Sequence, residues 1–282
     1  MIEELIGEYF QKNTRLNLEH KERMYPTQAS VFVDNGAYKK LQGKCLRAAY
    51  YSCSGIPELD DERKVTGLTI MKLGDYTEKM ILDMMSNIGV LVESGTKFEI
   101  KNYNVFGKLD AIVKIDEEEI GVEIKSIGSN KYAVNSIFGS PWSEPTPKWA
   151  HLLQTLVYCY AFRERINKFI LIYIRRDTGE IKEFTISVIV EGDNIYPVID
   201  GKVEKRYSIG DVLKRYQELQ KHLDEATVPQ RDFVKIYPKH IIPQYVKVGL
   251  LSKRQAETYK TAPFGDFECR YCGYTTICDR EK

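Results

Sequence analysis

The sequence has little histidine and tryptophan, and it has no long apolar run. It contains 4 His, 2 Trp and 6 Cys in 282 residues. No stretch approaches the roughly 18 consecutive apolar residues that a membrane helix needs, and the acidic segment MIEELIGEYFQKNTRLNLEH is not a secretory signal. These absences predict a cytoplasmic protein with no membrane partner. Six cysteines are too few for a disulfide scaffold, and in a reducing compartment clustered cysteines favour metal binding.

A strong excess of one charge is also missing. The formal net charge is +1, although 29% of the residues are charged and 43% are hydrophobic. The chain is long enough for a sizeable core. A surface that binds nucleic acid would therefore have to be a local basic groove, balanced by acidic faces elsewhere.

Apolar periodicity predicts helices over 2–18, 44–55, 60–87, 148–164 and 209–223, with strands between them. The strand-like runs are VLVES, KFEIK, VFGKLDAIVKID, EIGVEIKSI, KFILIYIRR and EIKEFTISVIV. This order predicts an α/β core with a mixed sheet and a helical cap formed by both chain ends. We expect one domain over 1–282, with a core at about 60–195 and the cap at about 25–58 and 205–282. The polar segment 128–148 is predicted to be a long loop that covers or contacts a substrate.

Two neighbouring strands carry acids in apolar surroundings. Asp110 lies in GKLDAIV, and GVEIKS places Glu123 and Lys125 on one face of the next strand. Such charges are costly in an apolar strand unless something binds them. Mg²⁺ takes carboxylate oxygens and activates water, and a lysine can orient that water or stabilise phosphate charge. The pattern predicts phosphodiester hydrolysis, with an ordinary solvent-facing charge pair as the alternative.

The Glu-x-Lys spacing alone has little specificity, because it occurs five times. The pairs are Glu19/Lys21, Glu62/Lys64, Glu99/Lys101, Glu123/Lys125 and Glu180/Lys182. Only Glu123/Lys125 follows an aspartate in a preceding apolar strand, across the acidic turn in KIDEEEIG. Helical segments add Glu78, in LGDYTEK, and the i, i+4 pair Gln154 and Tyr158, in HLLQTLVYCY. Taken singly, Glu78 is typical of a solvated helix position and Tyr158 of a core position.

Three cysteines are spaced Cys-x2-Cys-x5-Cys near the end of the sequence, at Cys269, Cys272 and Cys278. A zinc site would need a fourth Cys or His at short spacing, and none is present. A redox pair would need an adjacent βαβ unit. Iron–sulfur clusters are held by four thiolates. Of the remaining cysteines, Cys159 is typical of a core position, and sequence reasoning does not choose between Cys45 and Cys53.

The order of these motifs resembles that of the RecB-type PD-(D/E)XK nucleases. The matching segments are GDYTE (74–78), GKLD (107–110), EIK (123–125) and QTLVY (154–158). One cysteine before them, in KCLRAAYY, and three after them resemble the iron–sulfur subset. That subset includes the CRISPR-associated RecB-like exonucleases and the nuclease domain of the AddB helicase subunit. The resemblance spans about 25–280. Leu109 replaces the proline of the superfamily name, and Glu78 stands where many members carry histidine.

The resemblance implies a restriction-endonuclease-like fold with an iron–sulfur cap and a metal-dependent DNA exonuclease. It implies DNA that is single-stranded or has free ends, in repair, recombination or CRISPR adaptation. The implied Mg²⁺ or Mn²⁺ ligands are Glu78, Asp110, Glu123 and the main-chain carbonyl of Ile124. Lys125 is implied to position the attacking water, and Gln154 and Tyr158 to contact the DNA backbone or brace the site. A 4Fe–4S cluster is implied on Cys45, Cys269, Cys272 and Cys278.

Three alternatives stay open. The chain could be a non-catalytic DNA-binding subunit of a larger complex, it could carry zinc in place of iron, and it could form a homo-oligomer. For the nuclease, the sequence offers side chains for a basic and aromatic DNA path. They are Lys44, Arg47, Lys131, Lys148, Tyr132 and Trp142.

Overall fold

The computed structural model describes residues 23–58 and 65–281, together with Ile2, Leu5 and Tyr9. The predicted helix over 2–18 and the start of the one over 60–87 fall mostly outside the described residues. Among the residues that are described, no helix combines the length and apolar character needed to cross a membrane.

The described chain is an α/β fold around a mixed seven-stranded sheet. A separate hairpin precedes the sheet and is formed by β1 (Ser30–Asp34) and β2 (Lys39–Gly43). The sheet strands follow in spatial order: β3 (Leu91–Ile100), β4 (Val105–Ile115), β5 (Glu118–Ile127), β6 (Lys168–Arg175), β7 (Ile181–Glu191), β8 (Asn194–Ile199) and β9 (Lys202–Val203). All neighbours are antiparallel except β5 and β6, which are parallel.

Helices come before, between and after the strands. They are α1 (Leu46–Cys53), α2 (Val65–Asn87), α3 (Lys131–Phe138), α4 (Trp149–Ala161), α5 (Ile209–Asp224), α6 (Ile242–Lys247), α7 (Lys253–Thr261), α8 (Phe267–Arg270) and α9 (Thr275–Arg280). Short 3₁₀ turns lie at Pro26–Gln28, Lys101–Tyr103 and Lys239–Ile241. The mixed sheet and its flanking helices confirm the predicted fold class at this level.

The two faces of the sheet are covered unequally. On one face, α2 packs through Ile81 on a cluster of small and β-branched strand residues that includes Ala111, Val122 and Ile174. On the other face, α4 and α5 build the main core over Leu171. The eight residues from Leu152 to Cys159 in α4 are all buried. A helix that is apolar nearly all round belongs in a core rather than on a surface, so α4 forms the middle of the molecule.

The hairpin between β4 and β5 places the acidic residues opposite each other. Asp116 and Glu117 form the turn, and both have positive φ, at 50° and 66°. Two-residue hairpin turns with positive φ at both positions match the twist of the strands. The predicted acidic turn is therefore confirmed. From it, the register pairs Ile115 with Glu118 and continues to Ala111 with Val122.

Crossing from β5 to the parallel strand β6 requires a long connection, and this connection contains α3 and α4. The prediction of a structureless loop over 128–148 is wrong, because α3 lies within it. Asn130 caps α3 by accepting hydrogen bonds at 3.1 Å from the amides of Tyr132 and Ala133. Polar residues are frequent in this segment, so the sequence did not indicate the eight-residue helix α3.

Helix α5 agrees with its predicted apolar face. Ser208 and Asp211 form a reciprocal capping box at its start. Val212, Leu213 and Leu219 are buried against the main core. The 3.6-residue period of apolar residues in the sequence therefore identifies the buried face of α5.

A buried ion pair connects α5 to β1, to the start of α1 and to the segment around residue 232. Arg215 donates to Asp232 at 2.7 Å and to the hydroxyl of Ser30 in β1 at 3.1 Å. Asp232 also accepts the amide of Leu46, the first residue of α1, at 2.6 Å. Arg215 and Asp232 are only 9% and 10% exposed. These contacts hold β1, α1, α5 and the segment around 232 together.

Replacing Arg215 with Met is expected to destabilise the protein by about 3–5 kcal/mol, because Asp232 would remain a buried charge without its partner. Thermal unfolding followed by circular dichroism measures the change. Lys214→Met is the matched control, since its ion pair with Asp211 is exposed and exposed pairs contribute about 0–1 kcal/mol. Equal melting temperatures for the two variants would contradict the prediction.

Candidate functional site

The sheet opens where the ladder between β4 and β5 ends. Ala111 and Val122 are the last paired residues of this ladder. Asp110 comes just before and Glu123 just after, so the two acids face each other across the opening. The Oδ2 atom of Asp110 accepts the main-chain amide of Ile124 at 2.8 Å. A carboxylate thus takes the place of a backbone carbonyl, which fixes Asp110 beside Glu123.

Glu123 is buried without adequate hydrogen bonding. Its side chain is 1% exposed. The ammonium of Lys125 contacts its Oε1 atom as an ion pair, but neither carboxylate oxygen accepts a hydrogen bond of ordinary geometry from a described residue. Buried carboxylates are normally paired, hydrogen-bonded or bound to a metal ion. These two oxygens are therefore the most conspicuous unsatisfied groups of the site.

The electrostatics of the two acids follow from their burial. Desolvation and the charge of Asp110 together raise the pKa of Glu123 to about 8, against the lowering effect of Lys125. The pKa of Asp110 is also raised by burial, against the lowering effect of the Ile124 amide and Lys125. Without a bound cation, the pair resists carrying two negative charges.

Helix α2 brings Glu78 close to the same acids. Glu78 is half-buried, and its pKa is raised first by burial and then by the negative charge of Asp110. The positive charges of Lys108 and Lys125 lower that pKa. Glu78 therefore lies within electrostatic range of Asp110.

Helix α4 contributes Gln154 and Tyr158 from the main-core side. Gln154 donates from Nε2 to the hydroxyl of Tyr158 at 2.6 Å, and both residues are buried. Burial raises the pKa of Tyr158 above its usual range, and the nearby charges of Glu123 and Asp110 add to the effect. The predicted i, i+4 pair therefore lies against the carboxylates rather than on a distant core surface.

Two further residues of the site were not predicted from the sequence. Tyr173 in β6 is the register partner of Lys125, so their side chains lie on the same face of adjacent strands. His151 lies one turn before Gln154 on α4, and its Nδ1 atom is 3.0 Å from the hydroxyl of Tyr173. The sequence shows that His151 lies three residues before Gln154, so it could have indicated His151. It does not show that β5 pairs with β6, so it could not have indicated Tyr173.

The donor set of this site suits a hard cation such as Mg²⁺ or Mn²⁺, which prefers carboxylate oxygens. The orphaned oxygens of Glu123 are the observation that fits such an ion. In residues 23–58 and 65–281, however, no group of three or more His, Cys, Asp or Glu side chains is arranged so that it could hold a metal ion as it stands. Asp110 interacts with Glu78 on one side and with Glu123 on the other, and binding would require the three carboxylates to close in.

A second cluster is formed by cysteines from both ends of the chain. Cys45 is the N-cap of α1, and it lines one small cavity of about 40 Å³ together with Cys269, Cys272 and Cys278. The structure thus places the four cysteines that the resemblance implies around one cavity, although they are not arranged to hold a metal ion as they stand. Cys53 does not line this cavity. It is buried and contacts Gln28 and the carbonyl of Arg23, at 3.3 and 3.4 Å.

Cationic side chains line the same cavity. Arg47 lies 3.8 Å from the sulfur of Cys278, and Arg231 and Lys235 are also in the lining. Burial raises the pKa of Cys269 to about 12, and the charges of Cys45 and the other clustered thiols contribute. Burial therefore disfavours the thiolate forms of Cys45 and Cys269, and a bound metal would favour them, since a metal deprotonates its thiol ligands.

The side chains that were predicted to form a DNA path lie in separate parts of the structure. Arg47 belongs to the thiol cavity and donates to the carbonyl of Pro229 at 2.6 Å. Lys148 lies just before α4, and its amide donates to the hydroxyl of Tyr173. Lys148 also lines a cavity of about 970 Å³.

Tyr132 and Trp142 are 88% and 94% exposed, which is compatible with stacking on a base. Lys44 and Lys131 are exposed.

Comparison with known proteins does not assign a family. No family model matches the sequence, and no curated protein matches it. The chain is similar to a protein solved as the crystal structure of SSO0001, with 16% identity and a TM-score of 0.47 over 100% of this chain and 97% of that one. A likeness of this size does not indicate a shared activity.

The raised pKa of Glu123 predicts a pH-dependent stability for the metal-free protein. Between its ordinary value of about 4.3 and the folded value of about 8, the unfolded chain loses the proton while the folded chain keeps it. Stability should therefore fall as pH rises through this window, by on the order of 3–5 kcal/mol. Glu123→Gln should remove this part of the slope and be more stable above pH 8.

Melting temperatures from pH 4.5 to 9, measured with a chelator present, test this expectation. Glu99→Gln is the control, because Glu99 is exposed on β3 and should keep the slope of the original protein. Parallel curves for the original protein and Glu123→Gln would show that Glu123 is not the group responsible.

Proposed function

We propose that this protein is a metal-dependent DNA exonuclease that hydrolyses phosphodiester bonds in single-stranded DNA or at DNA ends. In this proposal it is a RecB-type nuclease of the iron–sulfur subset, with a restriction-endonuclease-like fold. The observation that carries the proposal is the Glu123 carboxylate, which is buried beside Asp110 and Lys125 with both oxygens lacking hydrogen bonds.

The cost of this arrangement favours a functional explanation. Placing two carboxylates together in a buried opening of the sheet is costly, because each charge is desolvated and repels the other. Structural ion pairs avoid this cost by matching charges and hydrogen bonds. Here Lys125 pairs with Glu123, and burial still raises the pKa of both acids. A divalent cation would allow both carboxylates to ionise.

Each residue would have a separate task. Glu78, Asp110, Glu123 and the main-chain carbonyl of Ile124 would hold Mg²⁺ or Mn²⁺. When bound, that ion supplies a more acidic water and a Lewis acid for phosphate oxygens. Lys125, which is about a quarter exposed, would orient the attacking water and hold positive charge near the phosphate.

Gln154 and Tyr158 support the site from α4. Their hydrogen bond is short and buried, which fixes both side chains next to Glu123. The Tyr158 hydroxyl stays protonated at all ordinary pH values because burial and the neighbouring acids raise its pKa. It can therefore donate a hydrogen bond to a carboxylate or to a phosphate oxygen.

The four clustered thiols support the second part of the proposal, a 4Fe–4S cluster. Four thiolates are the usual protein ligands of such a cluster, and the chemistry of the donor set fits. Cys45 and Cys269 are more than 200 residues apart in sequence. A bound cluster would join the two ends of the chain and restrict the unfolded chain strongly. Its role would be structural, and the hydrolysis would take place at the acidic site.

Asp110→Asn and Lys125→Ala are each expected to lower cleavage of end-labelled single-stranded DNA by at least about 100-fold, since each removes charge stabilisation from the reaction centre. The control is Glu99→Ala with Lys101→Ala, an exposed pair with the same Glu-x-Lys spacing, which should cleave normally. A circular substrate should resist cleavage if free ends are required.

The same assay distinguishes a nuclease from the alternative, a non-catalytic DNA-binding subunit. If protein that contains its cluster cleaves no DNA with Mg²⁺ or Mn²⁺, the nuclease proposal fails. DNA binding that persists without metal and is unchanged in both variants would instead indicate a non-catalytic binding subunit, acting in repair, recombination or CRISPR adaptation.

Cys45→Ser is expected to lose most of the bound iron and sulfide and the brown colour of the protein, because one of four ligands is removed. Protein purified without air and analysed for iron, sulfide and zinc provides the measurement. Cys53→Ser is the matched control, since Cys53 lies on the same helix outside the thiol cavity. Colourless, zinc-loaded original protein would rule out the cluster.

A further inference from the structure

The environment of Tyr173 determines the state of His151. Tyr173 is completely buried, with 0% of its side chain exposed. Its hydroxyl accepts a hydrogen bond from the main-chain amide of Lys148 at 3.1 Å, and it lies 3.0 Å from Nδ1 of His151. No other hydrogen-bond partner of this hydroxyl is found among the described residues.

Counting donors and acceptors assigns the proton. The amide of Lys148 can only donate, so the Tyr173 hydroxyl is the acceptor in that contact. Its own hydrogen is buried and needs an acceptor, and the acceptor within reach is Nδ1 of His151. A neutral imidazole with an accepting Nδ1 carries its proton on Nε2. His151 is therefore held as the Nε2–H tautomer.

The opposite edge of the ring is available for binding. His151 is partly exposed, and its Nε2 atom has no hydrogen-bond partner within residues 23–58 and 65–281 and is not one of the buried unpartnered atoms. Tyr173 is the register neighbour of Lys125, which places the imidazole at the same opening of the sheet as the acidic residues.

Burial and neighbouring cations keep the ring neutral. Burial, together with the positive charges of Lys125 from β5 and Lys148 from before α4, lowers the pKa of His151 to about 3. Tyr173, from β6, is a neutral phenol whose pKa burial keeps above its usual range. Glu123, also from β5, acts on Tyr173, but burial and the two lysines dominate at His151. The ring therefore stays neutral across the pH range of an enzyme assay.

We propose that His151 is a further catalytic residue of this site, whose Nε2–H donates a hydrogen bond to a phosphate oxygen of the substrate strand, and that Tyr173 is the positioning residue that fixes its tautomer. This inference rests on the proposed nuclease function. A neutral imidazole N–H can stabilise a developing negative charge without transferring its proton. His151 would therefore complement Lys125 by adding a donor that does not repel the lysine.

The state of His151 can be observed without any activity. Nitrogen-15 labelling of the histidine rings, with the signal of His151 assigned by its loss in His151→Asn, reports the tautomer directly. The expected spectrum shows an Nε2–H imidazole that does not titrate between pH 5 and 9. In Tyr173→Phe, the signal should change to a mixture of tautomers. An Nδ1–H tautomer or a titrating ring in the original protein would overturn the proposal.

The same signal tests contact with the substrate. A single-stranded oligonucleotide added with Ca²⁺, which supports binding with little turnover, should shift the Nε2–H proton downfield. Oligonucleotide that binds without moving this signal would overturn the proposal, even if the protein proves to be an active nuclease. Absence of cleavage by the original protein would instead overturn the proposed function, so the two failures are distinct.

Variants of His151 distinguish the loss of its hydrogen-bond donor from a change in side-chain shape. His151→Asn should lower kcat by about 100-fold, comparable to the removal of one transition-state hydrogen-bond donor, with little change in KM. His151→Gln can place an amide N–H near the Nε2 position and should recover much of the loss. His222→Asn is the control, because His222 lies on α5 and contacts Thr227. Equal rates for His151→Asn and the original protein would contradict the proposal.

Discussion

The carboxylate of Asp110 completes the backbone hydrogen bonding where the ladder between β4 and β5 ends. Beyond Ala111 and Val122 the two strands no longer pair, and the amide of Ile124 would be buried without an acceptor. Asp110 supplies that acceptor, so the strands can separate without leaving an unsatisfied amide. The opening created in this way is where Glu123 and Lys125 point, and the neighbouring helices are arranged around it.

Rigid elements surround this opening on both sides. Helix α4 is buried along most of its length and presents His151, Gln154 and Tyr158 on successive turns. The parallel strand β6 brings Tyr173 beside Lys125. Because these side chains come from a helix and strands in the main core, their positions depend on packing rather than on mobile loops. A site that must hold charges in a fixed geometry benefits from such support.

Sequence reasoning found the local features and missed the long-range ones. Periodicity predicted α1, α4, α5 and the β4–β5 hairpin, because each depends on nearby residues. It missed the β1–β2 hairpin and strands β8 and β9, which were left unassigned, and it took α3 for a loop. Asp110, Glu123 and Lys125 could be grouped because a short turn joins their strands. Tyr173 could not, since its place depends on the pairing of β5 with β6 across an intervening helix.

The thiol cavity and the acidic site differ in how their charges are compensated. At the acidic site, Asp110 and Glu123 are buried beside Lys125, and a bound cation would offset their remaining negative charge. At the thiol cavity, Arg231 and Lys235 already pair with Asp279, so the cations of the lining have an acidic partner without any cluster. The buried pair of Arg215 and Asp232 also reaches this cavity, because Asp232 accepts the amide of Leu46, the residue after Cys45. The contact that holds α1 against α5 therefore also positions the first of the four thiols.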